Sequence, residues 1–164
     1  MNGQERKPED GLSDLIIRGG ILSNVPGTSP REVIARMIEA VRFPVIDRGQ
    51  LLNAVLEREA LMSTAIGCGI ALPHPRNPQV TEPDDQFVTI AFLETPVNWN
   101  SPDGAPVHTA ILIVSASPKL HLRSLSRLNF FCQQDSFHAL LAHRASPEEI
   151  VAAIRAAEQT WQGG

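Results

Sequence analysis

Phe87-Val88-Thr89-Ile90-Ala91-Phe92-Leu93 is apolar on both of its alternating faces over most of its length. That is the pattern of a strand covered on both sides, not of one with a wet face. Val107 to Val114 repeats it. Pro102-Asp103-Gly104 supplies turn chemistry between the two runs, after a break expected at Thr95-Pro96. A third strand-like run, Ile66 to Leu72, lies upstream. Strands buried on both faces need helices on both faces. The expected class is therefore α/β: a single domain with a mixed β-sheet flanked by helices on both sides.

Working outward, three Ser-Pro pairs, Ser29-Pro30, Ser117-Pro118 and Ser146-Pro147, each precede a stretch with helical spacing. The serine can cap free first-turn amides, and proline at the first helical position loses no needed donor. Glu32 and Glu149 complete capping boxes at two of these starts. Val33, Met37 and Val41 then line one face, widened by Ile34 and Ile38. Asp47, with Gln50 as its box partner, predicts a further helix through Leu52, Val55 and Leu56 that brings Arg58 and Glu59 near the glycine-rich segment that follows. The last helix places Ile150, Ile154 and Ala157 on one side, with Trp161 extending the stripe before Gly163-Gly164. Another helix is expected from Asp135 to Leu141.

The 164 residues suffice for one hydrophobic core and not for two ordinary domains. Residues 1–11 are polar and lack apolar periodicity, so they read as a flexible tail; the domain is expected over 12–161. A formal net charge of -4 argues against a nucleic-acid partner. No apolar run is long enough to span a bilayer and no signal-peptide core is present, so direct membrane insertion is not expected and the cytoplasm is. Two cysteines, Cys68 and Cys132, without CxxC spacing indicate neither a disulfide framework nor a zinc cluster.

The chemistry centres on Gly67-Cys68-Gly69-Ile70-Ala71-Leu72-Pro73-His74. Glycines let another chain or a phosphate approach the backbone closely, and flanking prolines hold His74 on a stiff, presented platform. His121, in the first turn or so of the helix after Ser117, shares a face with Leu125, Leu128 and Cys132. The amides and positive end of that helix favour an anion, to which His121 could donate a hydrogen bond. Arg58 could meet two phosphoryl oxygens with parallel charge-assisted bonds. Each residue alone also fits a structural role: His74 as a loop residue, His121 as a satisfied core histidine, Arg58 as a solvated charge. Lys119, Arg123 and Arg127 fit either a docking rim or a solvated helix face. His108, His138 and His143 read as structural or surface residues.

The segment Arg58-Glu59-x-x-x-Ser63-Thr64-x-Ile66-Gly67-x-Gly69-Ile70-Ala71-x-Pro73-His74 resembles the enzyme IIA domains of the bacterial phosphotransferase system, in the fructose, mannitol and nitrogen-regulatory branch. The resemblance extends roughly from Leu12 to Ala157, through Leu93-Glu94-Thr95-Pro96-Val97 and His121-Leu122-x-x-Leu125-Ser126. It implies a phosphotransferase component: a histidine-containing phosphocarrier docks, His74 accepts its phosphoryl group, His121 stabilises the group and Arg58 contacts it. No cofactor or metal is implied. The next acceptor would be a IIB-type subunit or a regulated target, in a nitrogen-type regulatory role or, alternatively, as a sugar-specific IIA subunit. A third alternative is a binding module that has kept the fold and lost transfer. Two positions depart from the family's pattern: Pro75 stands where a small residue is common, and Cys68 where a polar one is.

Overall fold

The computed structural model describes residues 10–42 and 46–161. Residues 1–9 of the expected tail, the Trp161 side chain and Gly163-Gly164 lie outside the described set. The two remaining tail residues are tied down: Asp10 pairs with Arg18 at 2.8 Å, and the Gly11 amide donates to the Asp14 carboxylate.

A five-stranded mixed sheet of order β1-β4-β5-β3-β2 forms the centre. Its strands are β1 (Ile21–Val25), β2 (Ala65–Gly67), β3 (Ile70–Ala71), β4 (Phe87–Val97) and β5 (Val107–Val114). β4 pairs antiparallel with β5, β1 runs parallel to β4, β3 runs parallel to β5, and β2 turns back antiparallel on β3. Six helices surround it: α1 (Leu12–Gly19), α2 (Pro30–Ala40), α3 (Arg48–Leu61), α4 (Pro118–Cys132), α5 (Asp135–Ala142) and α6 (Pro147–Trp161).

The doubly apolar strands do what their pattern demands. Phe87, Ala91 and Leu93 of β4, with Leu112 and Val114 of β5, pack under α2 and α3 against Val33, Ile34, Met37, Leu51 and Val55. Val88, Ile90 and Phe92, with Ile111 and Ile113, face the opposite way onto α1, α4, α5 and α6, against Leu12, Ile16, Leu128, Phe137 and Ile154. One sheet thus serves two cores, which is the α/β arrangement with helices on both faces.

The helix starts follow their caps. Ser29, Asp47, Ser117 and Ser146 side chains accept from the amides of Glu32, Gln50, Leu120 and Glu149 respectively. Three local expectations change. Ile66 to Leu72 is not one strand but a tight hairpin, because Gly67, Cys68 and Gly69 all take positive φ, at 94°, 55° and 79°, and reverse the chain. Thr95-Pro96 does not end β4. The strand continues to Val97 across an irregularity in its pairing with β5, and the missing proline amide is tolerated there. α1 and β1 are elements beyond those expected from the sequence. β1 is a short, half-exposed edge strand whose alternation is too brief to register.

Candidate functional site

His74 hangs from the sheet without being in it. Past β3 the chain stays bonded on both sides: the Leu72 amide donates to the Thr64 carbonyl at 3.0 Å, and the Ile113 amide donates to the Pro73 carbonyl at 3.2 Å. These bonds extend the β2 and β5 ladders to the very base of His74. The imidazole Nδ1 lies 2.7 Å from the Leu72 carbonyl oxygen. A carbonyl can only accept, so Nδ1 carries the proton and Nε2 holds the lone pair.

The expectation of a freely presented imidazole needs correction. His74 is only 8% exposed. The ring of His121 lies beside it, its centroid 4.9 Å away at a tilt of 42°. Burial pushes the His74 pKa below its ordinary 6.5; the Leu72 bond and Glu59 oppose that shift, and Arg58 adds to it. His121, the fourth residue of α4, is lowered to about 4 by desolvation and by the facing His74. Two neutral rings therefore meet at neutral pH.

Arg58 stands in the last turn of α3, where Nη1 donates to the Met62 carbonyl at 2.7 Å. It is close enough to act on the charge of His74. Glu59, the next residue, turns toward the interior. Its carboxylate accepts from the Thr64 amide at 3.0 Å, the Thr64 hydroxyl at 2.6 Å and Trp99 Nε1 at 2.7 Å. Ser63 adds a bond from its hydroxyl to the Trp99 carbonyl. Glu59 thus fastens the end of α3 to the start of β2 and to the buried Trp99, fixing the distance between Arg58 and the His74 strand. Sequence reasoning missed this role; a glutamate five residues before a threonine is the only local hint of it. Replacing Glu59 by Ala should remove three acceptor contacts at once and lower stability by about 3 kcal/mol, read by urea denaturation. A loss near zero would contradict this account of the brace.

A second missed residue is Asp103. One carboxylate oxygen accepts from the Cys68 amide at 2.8 Å, while the other accepts from Ser101 Oγ and the Ala105 amide. Those bonds hold its carboxyl down at about 2. The turn expected at Pro102-Asp103-Gly104 is therefore also the clasp that holds the hairpin tip.

The other histidines fall outside this cluster. His108 packs its ring over Gly69, with Nδ1 2.7 Å from Thr109 Oγ1. His138 is half-buried and His143 exposed. Cys132 is buried, its thiol pushed up to about 12, whereas Cys68 is exposed at the hairpin tip. Among the described residues no group of three or more His, Cys, Asp or Glu could hold a metal ion. No described helix is long and apolar enough to cross a membrane.

What this arrangement can do is narrow. It offers a neutral imidazole with a fixed tautomer as nucleophile, a second neutral imidazole beside it as donor, a guanidinium nearby, and the first turn of α4. Those are the parts that in-line transfer of an anionic group uses: positioning and charge stabilisation.

Residues 17–157 match the family described as Phosphoenolpyruvate-dependent sugar phosphotransferase system, EIIA 2. The Nitrogen regulatory protein of Pseudomonas aeruginosa is 31% identical over 71% of this chain and 77% of its own length. The PTS system fructose-specific EIIABC component of Bacillus subtilis is 29% identical over 85% of this chain, which spans only 22% of that relative. Among solved structures, Nitrogen Regulatory Protein IIA-Ntr from Neisseria meningitidis superposes with a TM-score of 0.70 over 83% of this chain and 93% of that one, at 24% identity, and shares the fold.

Proposed function

The chain belongs to the EIIA 2 family of the phosphoenolpyruvate-dependent sugar phosphotransferase system, and on that footing we propose that Nε2 of His74 accepts a phosphoryl group from a histidine-containing phosphocarrier. The observation that carries the reading is the bond from Nδ1–H of His74 to the Leu72 carbonyl, which leaves Nε2 as the one nucleophilic nitrogen of that ring.

The step needs no proton transfer. The Nε2 lone pair forms the new N–P bond as the donor's N–P bond breaks, and the electron pair of the broken bond returns to the donor imidazole. The Nδ1 proton stays on His74, held by Leu72, so the ring becomes cationic beside the dianionic phosphoryl group. His121 donates to a phosphoryl oxygen, and Arg58, swinging from the Met62 carbonyl, meets the remaining oxygens. The group then passes back or onward to a IIB-type subunit or to a regulated target protein.

We place the chain in a regulatory, nitrogen-type relay in the cytoplasm. Its likeness to the Pseudomonas protein over most of that protein's length supports this. The similar identity with the fructose component supports the sugar-uptake reading in the same measure. Incubation with phosphoenolpyruvate, enzyme I and a phosphocarrier tests the acceptor claim: acid-labile, base-stable label should appear on the wild type and be lost in His74→Ala. Equal labelling of the two would sink it. Onward passage of the label to a purified IIB subunit would favour sugar uptake over regulation.

The lowered histidine pKa values give a signed expectation. Both rings are neutral above about pH 6.5, the ordinary value, so phosphoryl acceptance should be flat from there to pH 8. Below it the unfolded chain binds protons first. Stability should therefore fall as pH drops from about 6.5 toward about 4, and His121, partly exposed, should contribute about 1 kcal/mol of that loss. Comparing urea midpoints of the wild type and His121→Gln at pH 7.5 and pH 5 checks this. A wild type that gains stability on acidification relative to the variant would refute the neutral pair.

A further inference from the structure

A neutral histidine carries one N–H and one lone pair, and the bond made by one ring nitrogen decides which of the two holds the proton. For His74 the Leu72 carbonyl makes that choice. His121 has no such partner. Among the described residues no side chain or carbonyl bonds either of its ring nitrogens, and the ring lies beside that of His74. Burial and the facing His74 lower its pKa to about 4, so at neutral pH it is neutral and has a single ring proton to place. A donor to the phosphoryl group must keep that proton on the nitrogen turned toward the group.

His121 also lines a crevice of about 10 Å³ with Pro75, Arg76, Asn77, Ser115 and Pro118. His74 is not part of this lining, so the crevice opens on a side of His121 away from the facing ring. The volume is on the order of one water molecule. Ser115 is 4% exposed, and its hydroxyl has no hydrogen-bond partner among the described residues. Every fully enclosed side-chain nitrogen or oxygen among those residues is bonded. The Ser115 hydroxyl therefore keeps a small open surface, and the crevice is the opening it lines. A nearly buried hydroxyl without a partner is unfavourable unless water or a ligand satisfies it.

The backbone on both sides of Ser115 is fastened. The Ile113 amide donates to the Pro73 carbonyl at the base of His74, and the Ile113 side chain faces the α4 side of the sheet. Side chains two apart on an extended chain share a face, which carries Ser115 to the same side. The Ala116 amide donates to Gln86 Oε1 at 2.9 Å, and the Ser117 hydroxyl caps α4. The Ser115 hydroxyl thus stands at a fixed place between the His74 segment and the first turn of α4. No direct bond joins it to His121, so a link across the crevice runs through water.

We propose that Ser115 is a positioning residue for His121: through one water held in the crevice, it selects the tautomer that turns N–H toward the phosphoryl group. Ser115 Oγ–H donates to the water, and the water donates to the ring nitrogen on the crevice side. That nitrogen holds the lone pair, and the ring proton sits on the other. Arg76 and Asn77 complete the polar lining; Arg76 can only donate, so it does not compete for the water's hydrogens. The inference rests on His121 being the donor to a phosphoryl group on His74, and adds what keeps it a donor.

Histidine side-chain ¹H–¹⁵N correlation of the unphosphorylated protein, at about pH 7.5, reads the tautomer with no phosphoryl donor present. Wild-type His121 should show one protonated and one lone-pair nitrogen; in Ser115→Ala both shifts should move toward the average of the two forms. In single-turnover labelling by a charged phosphocarrier, Ser115→Ala should slow transfer by about fivefold, with KM for the carrier within about twofold. In a His121→Ala background the same substitution should have no further effect, because no ring is left to orient. His121 shifts unaltered by Ser115→Ala would overturn the proposal. An equal slowing with and without His121 would also overturn it, because Ser115 would then be acting on the phosphoryl group or on the fold. A wild type that takes no label would overturn the acceptor reading, whereas the His121 shifts decide the role of Ser115 by themselves.

Discussion

His74→Ala is expected to lower phosphoryl acceptance by about 10³-fold or more, with loss of stability limited to about 1 kcal/mol. The asymmetry follows from the geometry. The ring's hydrogen bond to Leu72, two residues back, is a local one, and the segment is independently pinned through the Leu72 amide and the Pro73 carbonyl. Little of the fold depends on the imidazole, and all of the proposed chemistry does. His121→Ala should behave differently: on the proposed roles it removes one donor to the phosphoryl group and leaves the nucleophile, so acceptance should slow by about 10²-fold and still label His74. Single-turnover labelling with a charged phosphocarrier separates the two. If His121→Ala lost all label while His74→Ala kept it, the two roles would be reversed.

The second large effect belongs to Gly69. A Cβ there would stand 2.3 Å and 2.5 Å from Cδ2 and Nε2 of the His108 ring, and the residue has φ of +79°. The His108 ring cannot step aside freely, since its Nδ1 lies within hydrogen-bond distance of Thr109 Oγ1. Gly69→Ala should therefore destabilise by about 3 kcal/mol, the sum of left-handed strain of about 1 kcal/mol and overpacking of about 2 kcal/mol. Truncating His108 in the same chain should relieve the overpacking and leave only the strain. The double variant should then be more stable than Gly69→Ala alone, an outcome that denaturant unfolding reads directly. A strictly additive pair would contradict the contact.

That contact explains why the hairpin escaped the sequence analysis. Ile66 to Leu72 looks like one apolar run because its composition is that of a strand, and nothing local says that Gly67, Cys68 and Gly69 all take positive φ. The reversal is fixed from outside the segment, by Asp103 on the Cys68 amide and by the His108 ring over Gly69. β4 and β5 were legible for the opposite reason, since burial on both faces leaves its mark on every residue. So were the helix starts, whose serine and aspartate caps act within three residues. α1 and β1 were not. Leu12, Leu15 and Ile16 do have helical spacing, but the helix is short and β1 ends after five residues at the edge of the sheet.

The candidate site divides in the same way. His74, His121 and Arg58 stand out by residue type and by resemblance to a family, and the fold brings the two imidazoles face to face. The near-complete burial of His74 could not be read, because it is set by the packing of the whole chain, in which a ring 47 positions away (121 − 74) comes to lie beside it. The Glu59 brace was hidden too, since Trp99, one of its donors, is far along the chain. Physically, residues that do chemistry announce themselves by type, whereas the residues that place them act through backbone atoms and long-range contacts.

In the proposed relay the phosphoryl group resides on Nε2 of His74 while Nδ1 keeps its proton. Long-range ¹H–¹⁵N correlation of the histidine side chains, in protein charged through enzyme I and a phosphocarrier, tests it most directly. One phosphorylated ring is expected, that of His74, with ¹⁵N–³¹P coupling at Nε2 and a protonated Nδ1. Phosphorus on Nδ1 of His74, or on His121, would contradict it.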